Sequence, residues 1–263
     1  MRKFAAAMPI LALVAGVIGF FLRRRELATV FDDVTGLAQR SAPVSLALIG
    51  LVAAAVIIFL VFSITAFGGK AARGQMSSLR HTGPINLAVL LVLGAAWLVS
   101  AVMYYLNIRA AGEFPMVETY FAALSALSGL SVAALAFAEY RSERGSVRLL
   151  LSVIPALFMC FWLVLLYKQN AANPVLLSYC YQCLAILTSA LSFYFAAGYV
   201  FGKAAPGKTI FSFLITIFFC CIALADNLAT ELKAVFAIVI IMQLLNSMML
   251  IKKLGDGRGR HQA

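Results

Sequence analysis

Eight long apolar runs follow one another along this chain, and they restrict its fold more than any other feature of the sequence. They cover residues 4–22, 44–67, 85–106, 116–138, 149–167, 174–201, 209–226 and 234–251. An α-helix of roughly 20 apolar residues crosses the hydrocarbon core of a bilayer. Membrane β-barrels instead contain strands of about 10 residues in which polar and apolar side chains alternate. The sequence therefore predicts an all-α, polytopic membrane bundle of eight transmembrane helices.

The composition agrees with a single membrane-embedded domain. Hydrophobic residues make up 63% of the chain and charged residues only 12%, which is far from the balance of soluble proteins. Residues 1–251 form the predicted bundle, and residues 252–263 form a basic tail. The first run follows Arg2 and Lys3, as the apolar part of a signal peptide would. It ends, however, in the arginines 23–25 with no small-residue cleavage pattern, so we interpret it as a span.

Basic residues predict the orientation of the bundle. One side of the eight spans holds 14 of the 21 basic residues and three acids, whereas the other side holds seven of each. Lysine and arginine accumulate on the cytoplasmic side of membrane proteins. Both termini are therefore predicted to be cytoplasmic, in a plasma membrane of bacterial type. A basic cytoplasmic rim in contact with anionic lipid explains the net charge of +11 without a nucleic-acid partner.

Residues 23–43 form the longest polar stretch between two spans. It contains four arginines and three acids, and we place it outside the cytoplasm. Leu27, Val30, Phe31 and Val34 recur at helical spacing, which predicts a short amphipathic helix lying in the membrane interface. An unstructured connector is the alternative.

A weak internal repeat favours an arrangement of four successive helical hairpins. When spans 3 and 4 are laid on spans 5 and 6, Trp97 matches Trp162, and the further matched pairs are Pro115 with Pro174, Tyr120 with Tyr179, and Tyr140 with Tyr199. Tyrosine is common at both membrane interfaces, so coincidence explains the match as well as duplication does. Small residues also recur at spacing four, as in Ala12 with Gly16 and Ser125 with Gly129. Such stripes are typical of close helix packing.

Polar side chains near the outer ends of the spans are the candidate ligand or pathway residues. Glu118 lies on the first turn of the fourth span, where the helix dipole alone favours a carboxylate. Its alternative role is a proton or cation site, because charged groups at membrane depth often mark pathways. The candidate set is Arg109, Glu118, Tyr120, Tyr179, Gln182, Asp226 and Asn227. Deeper in the bundle, Gln243 and Asn246 share one face of the last span and are expected to bond to a neighbouring helix.

Five cysteines lie in spans 5, 6 and 7 at similar predicted depth: Cys160, Cys180, Cys183, Cys220 and Cys221. A thiolate metal site or a disulfide is one interpretation. Ordinary packing is favoured instead, because no histidine or acid lies beside them and cysteine behaves as a small apolar residue. We therefore assign no metal and no cofactor.

Catalytic signatures are absent from the sequence. There is no HExxH motif and no phosphate-binding loop, and both histidines, His81 and His261, fall in predicted cytoplasmic segments. We therefore expect no enzymatic activity. The favoured hypothesis is an outward-facing binding or transport protein for a small molecule, with a cavity between spans 3, 4, 6 and 7. The alternative is a non-catalytic scaffold or partner subunit of a membrane complex.

Overall fold

A computed structural model describes seven stretches of the chain. They are residues 2–30, 42–67, 83–110, 116–141, 146–171, 175–203 and 205–260. Within them the chain forms eight long α-helices and one short 3-10 turn, Leu176–Ser178, and it forms no strand. The helices are α1 Arg2–Thr29, α2 Pro43–Phe67, α3 Pro84–Ala110, α4 Met116–Tyr140, α5 Ser146–Gln169, α6 Cys180–Val200, α7 Pro206–Ala223 and α8 Thr230–Arg260.

Each helix contains a segment that is long and apolar enough to cross a membrane. These segments are 18 to 27 residues long, and their mean hydropathy lies between 1.7 and 3.0. The predicted all-α bundle with eight transmembrane helices is therefore confirmed. The chain is a multi-pass integral membrane protein.

Prolines mark several helix starts. Pro43, Pro84 and Pro206 are the first residues of α2, α3 and α7. Proline is well tolerated there because its missing N–H would have no partner within the helix. Pro9 and Pro155 lie inside α1 and α5.

The first helix is longer than the sequence predicts. The polar stretch beginning at residue 23 was expected to lie outside the span, but α1 continues without a break to Thr29. Leu27 therefore belongs to α1 and Val30 follows its end, whereas Phe31 and Val34 lie outside the described residues. The helix continues because Arg23 and Glu26 find buried partners in the bundle, as described below, and do not need water.

Successive helices pack as antiparallel pairs. Between α3 and α4 the contacts progress from Gly94 with Gly129 to Tyr104 with Phe121, so the two helices run in opposite directions. The start of α1 and the end of α8 lie at one end of the bundle, which we call the terminal end. The opposite end, where the odd-numbered helices finish, is the distal end.

Helix α7 is the centre of the bundle. It packs against α1, α2, α6 and α8, and 83% of its span is buried inside the protein. Helix α2 lies at the edge against α1 and α7, and only 22% of an 18-residue segment of it is buried. Its exposed side chains are mostly aliphatic, among them Leu46, Ile57 and Ile64. An apolar surface of this kind suits contact with lipid chains.

Glycines allow the closest helix approaches. A Cβ added to Gly94 in α3 would lie 2.9 Å from the Gly129 carbonyl oxygen in α4. A Cβ on Gly16 in α1 would lie 2.7 Å from Cys221 Cβ in α7. The small-residue stripes of α1 and α4 thus act in packing, as their spacing predicts.

Aromatic rings fill the space between the α3–α4 and α5–α6 pairs and α8. They stack or meet edge to face in one connected group: Trp97, Phe121, Phe158, Trp162, Phe193 and Phe236. Both tryptophans matched by the internal repeat belong to this group. The predicted interhelical bond of α8 is also confirmed, because Gln243 Nε2 donates to Ser192 Oγ of α6 at 2.9 Å.

Candidate functional site

The structure separates the sequence-predicted candidate residues into three groups by burial. Arg109, Tyr120 and Asn227 are exposed at the distal end, where the Arg109 guanidinium lies over the Tyr105 ring. Glu118 and Tyr179 are half-buried. Gln182 and Asp226 are buried and lie close to each other. Asp226 belongs to a charged cluster that the sequence did not predict, and Gln182 lies beside that cluster.

That cluster consists of Arg23, Glu26 and Asp226, and we call it the Arg23 cluster. Arg23 Nη1 donates to Glu26 Oε2 at 2.7 Å, and Arg23 Nε donates to Asp226 Oδ1 at 2.7 Å. The exposed fractions of the three side chains are 0%, 0% and 1%. One cation and two acidic groups are thus enclosed in the protein at the distal end.

Further contacts of Arg23 bind three parts of the fold together. Its Nη2 donates to the carbonyl oxygens of Leu177 and Ser178 at 3.0 and 2.9 Å, in the connection between α5 and α6. The guanidinium carbon lies 4.8 Å from the centre of the Tyr181 ring in α6. Asp226 belongs to the turn between α7 and α8. One side chain of α1 therefore joins the first, third and fourth hairpins.

Each carboxyl group of the cluster has one oxygen with no hydrogen-bond partner among the described residues. These atoms are Glu26 Oε1 and Asp226 Oδ2, and both are buried. Burial raises the pKa of Asp226, while the positive charge of Arg23 opposes that rise and the negative charge of Glu26 adds to it. The Gln182 side chain favours the charged form of Asp226, although it does not complete a hydrogen bond to Oδ2. Two acids thus compete for one arginine.

The sequence contained a partial signal for this cluster. Arg23 and Glu26 are three residues apart, so they share a face if α1 continues through them. Asp226 stands alone in a short connection between two apolar runs. Its pairing with Arg23 spans 203 residues, and nothing in a single sequence specifies such a distant contact.

A second feature is a cavity of about 100 Å³ in the terminal half of the bundle. Side chains of all helices from α3 to α8 line it. Most of its wall is apolar, and its polar side chains are Glu139, Ser152, Tyr199 and Asn246. The sequence predicts a cavity between spans 3, 4, 6 and 7 that opens outward, whereas this cavity lies nearer the opposite ends of the helices.

Glu139 is the acidic group of this cavity. It lies in the last turn of α4, and only 5% of it is exposed. The predicted fourth span ends at residue 138, so Glu139 was counted among the cytoplasmic acids beyond it. Ser152 Oγ donates to the Leu149 carbonyl at 2.7 Å, so its hydroxyl hydrogen is already used. Among the polar side chains lining the cavity, Glu139 is the one that is both acidic and buried.

The five cysteines differ in burial. Cys160 is exposed, whereas Cys220 and Cys221 are buried, and all five are free thiols. Cys220 Sγ lies 3.4 Å from Ser189 Oγ, and Cys221 packs against Gly16. Within the part of the chain that the structure describes, no three or more histidines, cysteines or acids are grouped as metal ligands would be.

Comparison with known proteins leaves the function to be argued from these two features. The chain gives no match to protein-family models, to curated proteins or to solved structures.

Proposed function

We propose that this membrane protein binds and transports a small, largely apolar molecule that carries one amine or other cationic group. The observation that carries the proposal is the cavity of about 100 Å³ with Glu139 in its wall. The role requires no catalytic step and no cofactor. It deepens the binding hypothesis drawn from the sequence and moves the site to the other end of the bundle.

The lining of the cavity supports this assignment. Ligand sites are typically apolar and carry a few polar groups that fix the orientation of the ligand. Here the polar side chains converge from α4, α5, α6 and α8. A carboxylate inside a membrane bundle is costly and usually faces a partner or a polar cavity. Glu139 lines the cavity and would hold the cationic end of a ligand, while residues such as Val132 and Phe213 surround the rest.

The distribution of charge supports a cytoplasmic location for the terminal end. Most basic residues of the sequence lie on the side that carries the termini, which is the usual cytoplasmic side. The proposal therefore includes a plasma membrane of bacterial type, with anionic lipid around the terminal rim. In this orientation the cavity lies toward the cytoplasm, not toward the outside.

Ligand-dependent stabilisation tests the proposal. The purified protein would be melted in detergent with a panel of small amines, matched neutral analogues and amphipathic metabolites. A ligand present at 100 times its Kd should add about 2.7 kcal/mol to the free energy of unfolding. Glu139→Gln keeps the shape of the side chain and removes its charge, so it should weaken the binding of cationic ligands at least about tenfold, or about 1.4 kcal/mol. Glu118→Gln is the matched control, because Glu118 lies at the distal start of α4.

Two outcomes would overturn this proposal. One is the absence of stabilisation by any compound in the panel. The other is equal stabilisation of the wild-type protein and the Glu139→Gln variant by the cationic ligands. If the panel fails and crosslinking in cells captures one defined partner protein, the scaffold alternative takes its place.

A further inference from the structure

The Arg23 cluster has a charge imbalance that the cavity proposal does not use. With both acids ionised, one arginine and two carboxylates would carry a net charge of −1 inside the protein, with side-chain exposures of 0% to 1%. A buried charge without a counter-charge is strongly unfavourable. A bound cation would neutralise this charge, and the smallest such cation is a proton.

The hydrogen bonds of the cluster leave room for that proton. Arg23 uses Nε and Nη1 for the two acids and Nη2 for two backbone carbonyls. The guanidinium therefore satisfies one oxygen of each acid, and Glu26 Oε1 and Asp226 Oδ2 have no hydrogen-bond partner in the part of the chain that the structure describes. Because both acids bond to the same guanidinium, their like charges lie close together and repel each other when both are ionised.

We infer that Glu26 and Asp226 form a site for one exchangeable proton, which is held on a carboxyl oxygen that Arg23 leaves unbonded. When the proton adds, the net charge of the cluster changes from −1 to zero, and when it leaves, the charge returns to −1. The two acids share the same guanidinium, so the proton is assigned to the pair and not to one residue. The raised pKa of Asp226 agrees with this inference.

Among the described residues, the charged and titratable neighbours of the cluster add no second cation. From α1 the facing charged groups are Arg23 and Glu26. From α6 the titratable neighbours are Cys180 and Tyr181, with Cys183 next to Cys180. These three groups are neutral when protonated, so they do not offset the negative charge. Asn227, which follows Asp226, is exposed, and the proton therefore exchanges with water at the distal end.

The pH dependence of folding distinguishes a one-proton site from an ordinary ion pair. A carboxyl group whose pKa is raised in the folded protein contributes to stability. The contribution is fully present below the pKa of the unfolded chain, and it is lost as the pH rises through the pKa of the folded protein. The pH range over which this stability is lost thus begins near 3.8, the ordinary pKa of Asp226. It extends up to the higher pKa of Asp226 in the folded protein. Asp226→Asn imitates the protonated acid and stays neutral at every pH of the experiment. Within this pH range, the folding equilibrium constant of the wild type relative to this variant should fall about tenfold per pH unit.

The experiment is reversible unfolding of the full-length protein in mixed detergent micelles between about pH 4 and 8. Wild type, Asp226→Asn and Glu26→Gln are compared, with Glu118→Gln as the half-buried control at the same end. Either single cluster variant should remove the pH-dependent loss, whereas the control should retain it. Infrared spectra recorded across the same pH range should also show, in the wild type, a carboxylic acid signal that persists above the pH at which exposed carboxyl groups ionise and that is missing from both cluster variants.

The inference is overturned if the stability of the wild type relative to the variants rises with pH or does not change. A rise is the behaviour of two ionised acids paired with Arg23. An infrared spectrum of the wild type without the carboxylic acid signal would also overturn it, and this measurement holds even if one variant fails to fold. The double variant Glu26→Gln with Asp226→Asn should be much less stable than either single variant, because Arg23 then lacks any counter-charge.

Discussion

Three consecutive arginines show how strongly position determines the role of a residue. Arg23 is completely buried, whereas Arg24 and Arg25 are exposed. Successive residues of an α-helix point about 100° apart, since one turn takes 3.6 residues. Only Arg23 therefore faces α6 and the α7–α8 turn, and its neighbours remain on the outer surface of α1.

Replacing Arg23 should be far more damaging than replacing Arg24. Arg23→Met keeps much of the apolar length of the side chain but leaves Glu26 and Asp226 buried without their cation. Breaking a buried pair in this way typically costs about 3–5 kcal/mol. The matched control, Arg24→Met, should change the free energy of unfolding by no more than about 0.5 kcal/mol. Denaturant unfolding in detergent measures both variants, and equal effects would show that Arg23 is not the link between the hairpins.

For single residues, the sequence predicted where a side chain lies in the bundle better than it predicted which residues that side chain contacts. Gln182 and Asp226 were selected because they stand near the ends of apolar runs, and the structure brings both to the same buried region. Arg23 was assigned to the segment outside the cytoplasm because the first apolar run ends at residue 22 and the polar stretch begins there. Its burial depends on Asp226, Leu177 and Ser178, which are at least 154 residues away along the chain. Contacts of that kind arise from the packing of helices and leave no local pattern.

Between elements, the α3–α4 pair is held at the distance that two glycines allow. Gly94→Ala would place a methyl group 2.9 Å from the Gly129 carbonyl oxygen, so the two backbones would have to separate. Overpacking of this kind costs about 1–3 kcal/mol. Gly50→Ala is the control, because a Cβ there meets nothing within 4 Å, and alanine favours a helix by up to about 1 kcal/mol over glycine.

Thermal unfolding of the two glycine variants tests that helix contact. The expected result is a lower melting temperature for Gly94→Ala and an unchanged or higher one for Gly50→Ala. Unchanged stability of Gly94→Ala would mean that the two helices adjust without cost, and that the glycine pair does not set their separation.

The positions of the helices were predictable because each span must meet the physical requirements of the membrane without help from its neighbours. Backbone groups in a bilayer have to bond within the helix, and the side chains facing lipid have to be apolar. Hydropathy therefore located α2, α3 and α4 to within a few residues of their observed bounds. The end of α1 was placed too early for the opposite reason: a buried ion cluster replaces water there, so polar residues continue a span.

For the whole molecule, the proposed orientation gives a direct labelling test. Asn227→Cys places a thiol on the distal surface and Lys203→Cys places one on the terminal surface, and both positions are exposed. In intact cells a membrane-impermeant maleimide should label position 227, while position 203 should react only after the membrane is permeabilised. The wild-type chain corrects for reaction of the native cysteines. Labelling of position 203 but not 227 from outside would reverse the orientation and place the cavity toward the exterior.

Hydropathy does not determine which spans become neighbours in the bundle. The extensive contacts of α1 and α2 with the other helices are made with α7 and α8. The order of the spans along the chain favours contacts between adjacent hairpins. In the structure the first hairpin instead packs against the last one. The inward polar side chains of α7, such as Thr216, whose Oγ1 donates to the Thr188 carbonyl of α6 at 2.8 Å, reflect this central position.

The central position of α7 also sets an order for biogenesis. During synthesis the α1–α2 hairpin enters the membrane first, yet its main partner is the seventh helix to emerge from the ribosome. Until then Arg23 has no Asp226, and the glycine face of α1 has no Cys221 to pack against. The α1–α2 hairpin therefore lies in the lipid without these partners while α3 to α6 are inserted. The α7–α8 hairpin then completes the assembly by packing against both α1–α2 and the helices from α3 to α6.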